Sequence, residues 1–311
     1  MAIPAASGYP QYSGNLISPM FSMELLEQFY CSSVYSDIST TEYTGELEKC
    51  GDQITFWKEP EVRIRDTTKN APIVHDTLDS EPVTMVVDRA KDFSIKISQI
   101  DERQICNWDA FKAAFLKRAS YQLAQSIDQT LLGEMYTAVD PANQGQNAGV
   151  RSGDIDLGAT GAPIALTADN ILDTLLSMHT VLDEQCAPTE GRFVVLPPKA
   201  ILLLQTSDLR SALITGLGES PLVNGRLPNT VAGFNILRSI NVPTVFDAGA
   251  GATAHHIIAG VKSATAFAAQ IERTRVMEDK DEWGTFYQGF TTYGFKTLYP
   301  KALAYLYARL S

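Results

Sequence analysis

Cysteine is scarce in this chain: 311 residues hold four, Cys31, Cys50, Cys106 and Cys186. No two of them have the two-residue spacing of a zinc knuckle or a thioredoxin-type motif, and four are too few for a disulfide framework. They are expected to be reduced, mostly buried thiols. Basic side chains are also in deficit, 25 Lys and Arg against 36 Asp and Glu, which leaves a formal charge of −11. Holding nucleic acid by phosphate neutralisation takes clustered Lys and Arg, so any contact with DNA is expected to be loose, local or indirect. No apolar run approaches the ~18 residues of a transmembrane helix. The N-terminus has no basic-then-apolar signal pattern.

The motifs of chemistry are missing too. Gly216 and Gly218 fall short of a dinucleotide fingerprint, and no Gly-x-Ser-x-Gly elbow occurs. There are four histidines, His75, His179, His255 and His256. The last two are adjacent at the opening of an expected strand, so they point to opposite faces and cannot grip one metal together. His179 is expected on the packing side of a helix with one backbone partner, and His75 at a solvated loop tip. Glu278, Asp279, Asp281 and Glu282 crowd one turn, but without the alternating ligands and distal bidentate glutamate of a calcium loop, so a solvated acidic turn is expected. Asp101 and Glu102 before Arg103 suggest a salt-bridged lead into a helix. No group shows the pairing that general acid–base work needs. The sequence therefore assigns no catalytic, cofactor-binding or metal-binding residue, and no cofactor.

What is present reads as an α+β chain. No charged side chain precedes Glu24, and the stretch before it interleaves Pro4, Pro10 and Pro19 with Tyr9, Tyr12 and Phe21. Such a segment forms no core of its own; it reads as a frayed terminus or as an arm docking on a neighbouring subunit. From about 42 to 98 the period is two. Ile54 and Phe56 alternate with Thr55 and Trp57, Val62 and Ile64 with Arg63 and Arg65, and Phe93, Ile95 and Ile97 with Ser94, Lys96 and Ser98. This predicts a long two-stranded excursion, marginal in water without a partner surface.

Phe111, Phe115, Ala119, Leu123, Ile127, Leu131 and Met135 then recur every four residues. They predict a spine helix over about 108–138 with Asn107 as N-cap. Residues 140–163, rich in glycine, predict a long loop or small excursion, the candidate for conformational variability. A second helix is expected from Thr167, with Ile171, Leu172, Leu175, Leu176, His179 and Leu182 on its buried side. Short strands and helices follow from 192, and the aromatic C-terminus is strand-like, broken once at Pro300.

Taken in order, these segments resemble the major capsid proteins of tailed bacteriophages, with the Hong Kong 97 fold. The similarity lies most specifically in NGRLPNTVAGFNILRSINVP and the terminal YGFKTLYPKALAYLYA, and spans nearly the whole chain. It implies an N-terminal arm over 1–40 and an extended E-loop over 41–99. A peripheral domain with the spine helix would cover 100–190, an axial domain 191–265, and C-terminal strands over 266–311 would return to the peripheral domain. It further implies a non-enzymatic shell protein forming pentamers and hexamers of itself around double-stranded DNA. Scaffolding, portal and decoration proteins would be partners, with assembly in the host cytoplasm, residence in the virion and no membrane. Lys58 and Lys69 lie where some relatives form an isopeptide cross-link, but no acceptor is marked. An encapsulin-type compartment shell is the alternative on the same fold, and an enzyme with an unrecognised site the alternative in another class. A tail-tube protein is disfavoured by the spine helix.

Overall fold

The apolar residues repeating every four positions from Phe111 to Met135 lie along a 28-residue helix, α3 (Trp108–Met135), about 42 Å long at 1.5 Å per residue. In the computed structural model, which describes residues 33–42, 53–60, 62–69, 72, 75, 77, 82–105, 107–210, 228–280 and 282–310, this helix joins two sheets. Shorter helices are α1 (Tyr35–Ile38), α2 (Gln99–Gln104), α4 (Ile171–Glu184) and α5 (Pro198–Thr206). The strands, in chain order, are β1 (Gln53–Trp57), β2 (Pro82–Val86), β3 (Arg89–Ser98), β4 (Ile164–Leu166), β5 (Arg192–Leu196) and β6 (Thr230–Val231). They continue with β7 (Phe234–Arg238), β8 (Thr244–Asp247), β9 (Ala252–Val261), β10 (Thr265–Glu278), β11 (Gly284–Thr297) and β12 (Leu303–Leu310).

Seven strands form the larger sheet, ordered β4-β12-β9-β5-β7-β6, with β8 beside β9. The β4–β12 and β5–β7 pairs are parallel and the rest antiparallel. The run RFVVL is buried at every position of β5, as expected for a strand covered on both faces. On one face Ile171, Leu175, Met178 and Leu182 of α4 and Ile201 and Leu204 of α5 meet Val194, Phe234, Ile257 and Leu306. On the other, Leu131, Leu132 and Met135 of α3 join Val34, Ile38, Phe193, Val195 and Ile258. Leu176, expected inside, is exposed; at 3.6 residues per turn it sits about 140° round the helix from Ile171. Arg192 is buried, donating to the carbonyls of Pro188 and Ala187 at 2.8 Å each and to Asp183 at 2.7 Å.

The second sheet has three antiparallel strands, β10-β11-β3. α3 lies along it: Trp108 and Phe115 flank Tyr287, with ring centroids 6.1 and 5.5 Å away, and Ile127 meets Phe267 and Tyr293. Arg89 and Glu134 form two bonds of 2.6 and 2.7 Å from β3 to α3. Lys91 reaches Ser126 and Thr130 on the same helix. The expected single excursion over 42–98 is thus divided. β1 and β2 form a ribbon of their own, while β3 is built into the three-stranded sheet through β11. Gly294 marks the parting, since a Cβ there would lie 2.3 Å from the Val86 carbonyl oxygen; only a residue without one lets β2 leave over β11.

Several local expectations change. Asn107 stands at the N-cap position of α3 without a side-chain capping bond, its ψ of 67° holding it out of the extended geometry a cap uses. α4 begins at Ile171 rather than Thr167, because the Asn170 side chain accepts the Thr167 N–H and donates to the Ala165 carbonyl, making a turn there. The 140–163 segment is a loop, as expected, and it is tied into the core. Ala148 and Leu157 are fully buried within it, and Asn143 donates to the carbonyls of Lys301 and Leu303. Among the cysteines only Cys186 is described, and it is exposed. Cys31, Cys50 and Cys106 lie outside the described residues, as do Gly216, Gly218 and most of the expected N-terminal arm.

Candidate functional site

Within the ribbon, Ile54, Phe56 and Val83 rest on Ala266, Ala268 and Leu298 around the buried Met85. That contact ends with the last cross-strand pair, Trp57 opposite Pro82. Trp57 is 72% exposed, Val62 69% and Ile64 92%. The alternation through Val62–Arg65 does not continue β1: among the described residues no strand follows Trp57 until β2. A strand persists only where a neighbour takes its backbone groups, and among the described residues none pairs with Val62–Arg65.

A second exposed apolar region lies at the far end of the three-stranded sheet. Val276 and Met277 of β10, Trp283 before β11 and Ile100 of α2 are all exposed, Trp283 by 81%. The Gln99 N–H donates to the Trp283 carbonyl at 3.1 Å, so α2 lies beside this hairpin. The acidic turn is more than a solvated loop, because Lys96 of β3 pairs with both Asp279 and Glu282; Asp281 lies outside the described residues. Away from α3 the sheet shows a polar face. There Arg275 donates to Gln288 at 2.7 Å and Gln288 to Ser94 at 3.0 Å.

Asp128 is a buried structural tie that the sequence reading missed. It sits fully buried in α3. One carboxylate oxygen accepts the Val34 N–H at 3.1 Å, and the other accepts Asn241 Nδ2 at 2.9 Å and the Ser239 hydroxyl at 3.3 Å. Burial pushes its pKa up, against the downward pull of those donors. Asp128 therefore ties the start of the described N-terminal segment to the spine. A second tie follows, where Thr40 bridges to β10 through bonds with Thr265 and Phe267. An acid next to Ile127 on the apolar stripe was the available signal.

The histidines do not converge. His255 and His256 lie on opposite faces of β9, as read from the sequence. Burial lowers both pKa values, helped at His255 by Lys199. His256 stacks on Tyr136 at 4.3 Å, and its Nδ1 lies 2.7 Å from the Tyr305 hydroxyl. Tyr307 beside it donates to Asp247 at 2.9 Å; burial, then Asp247, pushes its pKa up to about 12. Asp247 also accepts from the N–H groups of Gly161, Gly249 and Ala250, which occupies both its oxygens and leaves it a turn-holder rather than a base. His179 has a carboxylate partner, Asp183 at 3.1 Å, in place of the expected backbone one, and packs edge-on against Phe234. His75 is exposed. Among the described residues no three His, Cys, Asp or Glu side chains gather to hold a metal, and no helix is long and apolar enough to cross a membrane.

The notable surfaces among the described residues are thus exposed and apolar. The family model of the phage capsid protein matches residues 80–306, well over half the chain. This chain belongs to the phage capsid protein family. Its fold is that of solved capsid structures at low sequence identity. A structure from Mycobacterium phage Che8 aligns with a TM-score of 0.72 at 21% identity, covering 94% of this chain and 97% of that one. The capsid of cyanophage P-SCSP1u aligns with a TM-score of 0.72 at 16% identity, covering 99% and 97%. The capsid of a native GTA particle gives a TM-score of 0.65 at 14% identity, covering 95% and 96%. No curated protein matches the chain. The resemblance drawn from the ordered segments is therefore upheld: this is a structural capsid subunit of the Hong Kong 97 type, whose work is self-association into the shell of a virion.

Proposed function

We propose that this capsid subunit is arranged as pentamers and hexamers in an icosahedral head around double-stranded DNA, assembled in the host cytoplasm with a scaffolding protein and a portal. The ribbon serves as the E-loop overlapping a neighbour, and the residues before 33 as an intersubunit arm. The three-stranded sheet with α3 serves as the peripheral part, and the seven-stranded sheet as the axial part. The chain acts without catalysis. The observation that carries this reading is the exposure of Val62 and Ile64 beyond the end of the β1–β2 pairing, since apolar side chains so displayed mark contact sites. The −11 charge suits a wall that encloses DNA without gripping it. Negative-stain electron microscopy of the purified chain, with and without co-expressed scaffold, tests the proposal. Five- and six-membered rings or closed shells support it; a monodisperse monomer under both conditions overturns it.

A further inference from the structure

On one face of the seven-stranded sheet, Leu131, Leu132 and Met135 of α3 cover Phe193, Val195, Ile258 and Leu303. The helix stops at Met135, while β9 and β12 run on side by side to the pair Ala254 and Arg309. Past the helix end lies an open cavity of about 800 Å³, lined by Tyr136, His256, Tyr305 and Tyr307, with Val245 and Asp247 of β8 beside them. The rings form one cluster. Tyr136 stacks on His256 at 4.3 Å and lies 5.6 Å from Tyr305, and His256 lies 5.3 Å from Tyr307. Tyr136, His256 and Tyr305 remain partly exposed, so the cluster is a surface and not a sealed core.

The charge effects in this cavity share one sign. Asp247 is buried, and the Gly161 N–H, with the Tyr307 hydroxyl and two further N–H groups, holds its carboxyl below the usual range. It therefore keeps its negative charge at neutral pH. The last turn of α3 also lines the cavity, through Gly133 and Tyr136, and a helix C-terminus carries the negative pole. Burial lowers the His256 pKa, which leaves the imidazole neutral. Among the described residues no Lys or Arg lines the cavity. A hydrated metal ion does not fit, because both Asp247 oxygens already accept from four donors and ring faces cannot replace a water shell. An alkylammonium group does fit: its stem is apolar and its head is attracted to aromatic faces.

We propose that this cavity binds an alkylammonium group, its carbon stem along Tyr136, Tyr305 and Val245 and its positive end held by the ring faces and the charge of Asp247. Such a group arrives either on a free aliphatic polyamine or on a lysine of another copy of the chain. The site is built within one subunit, so it stands apart from the reading of the chain as a shell protein.

Calorimetric titration of the unassembled full-length chain with putrescine, at fixed ionic strength, tests it, with butanediol as the uncharged control. One saturable site for the diamine and none for the diol is the expected result. Tyr136→Leu should weaken binding about five- to tenfold, the loss of one cation–π contact, whereas Tyr136→Phe keeps the ring and should bind as the native chain does. Val245→Lys sets a tethered ammonium at an exposed position of β8 and should abolish binding while leaving the unfolding transition in place. The same titration on assembled particles separates the sources. Binding retained there assigns the cavity to a free polyamine, and binding lost only on assembly assigns it to a lysine of another copy. No saturable isotherm with the native chain, or the same isotherm with Tyr136→Leu and Val245→Lys, overturns the site and leaves the shell reading standing.

Discussion

The seven-stranded sheet and the β1–β2 ribbon are written in the same alphabet of β-branched and aromatic residues, yet one is sealed and the other open. In β5 every side chain of RFVVL is buried. Around the ribbon, Trp57, Val62 and Ile64 face outward. The difference lies in what the chain supplies on either side. β5 has β7 and β9 along its edges and helices over both faces, whereas among the described residues the ribbon's apolar side chains rest on Ala266, Ala268 and Leu298, with β2 leaving over Gly294. Stability is concentrated in the first region and assembly in the second, so substitutions in the two should separate the properties.

The largest effect on stability is expected in the sealed region. Leu131→Ala empties a fully buried site in the core beneath the seven-stranded sheet and should cost about 3–5 kcal/mol by denaturant unfolding of the purified subunit. A cost near zero would mean that this core is not the stabilising one. Gly294→Ala comes next, at the seam between the regions. Its Cβ would meet the Val86 carbonyl oxygen at 2.3 Å, so overpacking should cost about 1–3 kcal/mol. It should also lower particle yield by displacing the ribbon root, read on the same preparation by sedimentation.

Asp128 gives a smaller and pH-dependent effect. Burial raises its folded pKa above that of the unfolded chain. Its contribution is therefore fully present below the ordinary carboxylate pKa and declines as pH rises through the higher folded value. Stability measured across that window should fall with rising pH in the native chain and less steeply in Asp128→Asn; equal slopes would contradict the assignment. The smallest effect on the isolated subunit belongs to the open region. Ile64→Ser should change unfolding stability by no more than about 0.5 kcal/mol while depressing particle formation strongly. Unchanged assembly would erase the distinction between the two regions.

Much of this architecture was legible because it depends on local pattern. The every-fourth-residue stripe fixes α3 and its buried face, and RFVVL, HHIIAG and the break at Pro300 mark strands that the fold contains. Where the sequence reading went astray, distant partners decide. The period-two run to Ser98 does not reveal that β3 pairs with β11, nearly two hundred residues on. Nor does it reveal that, among the described residues, no strand pairs with the alternating Val62–Arg65 stretch. Glycine content made 140–163 look loose, yet bonds from Asn143 to Lys301 and Leu303 hold it. The exposed apolar surfaces were half visible: the limb by its alternation, the hairpin tip only once Ile100 of α2 and Trp283 are seen side by side. Asp128 escaped because its donors, Val34, Ser239 and Asn241, lie 94, 111 and 113 residues away along the chain.

The ribbon as the element of assembly is tested most directly by shortening it. Because Trp57 and Pro82 already face each other as the last pair, residues 58–81 can be replaced by Asn-Gly, a two-residue turn suited to closing a hairpin. Light scattering then gives the mass of the full chain and the shortened chain under the same assembly conditions. The full chain should form shell-sized particles, and the shortened one should remain a folded monomer with unchanged unfolding stability. Particles of equal mass from both chains would contradict the account.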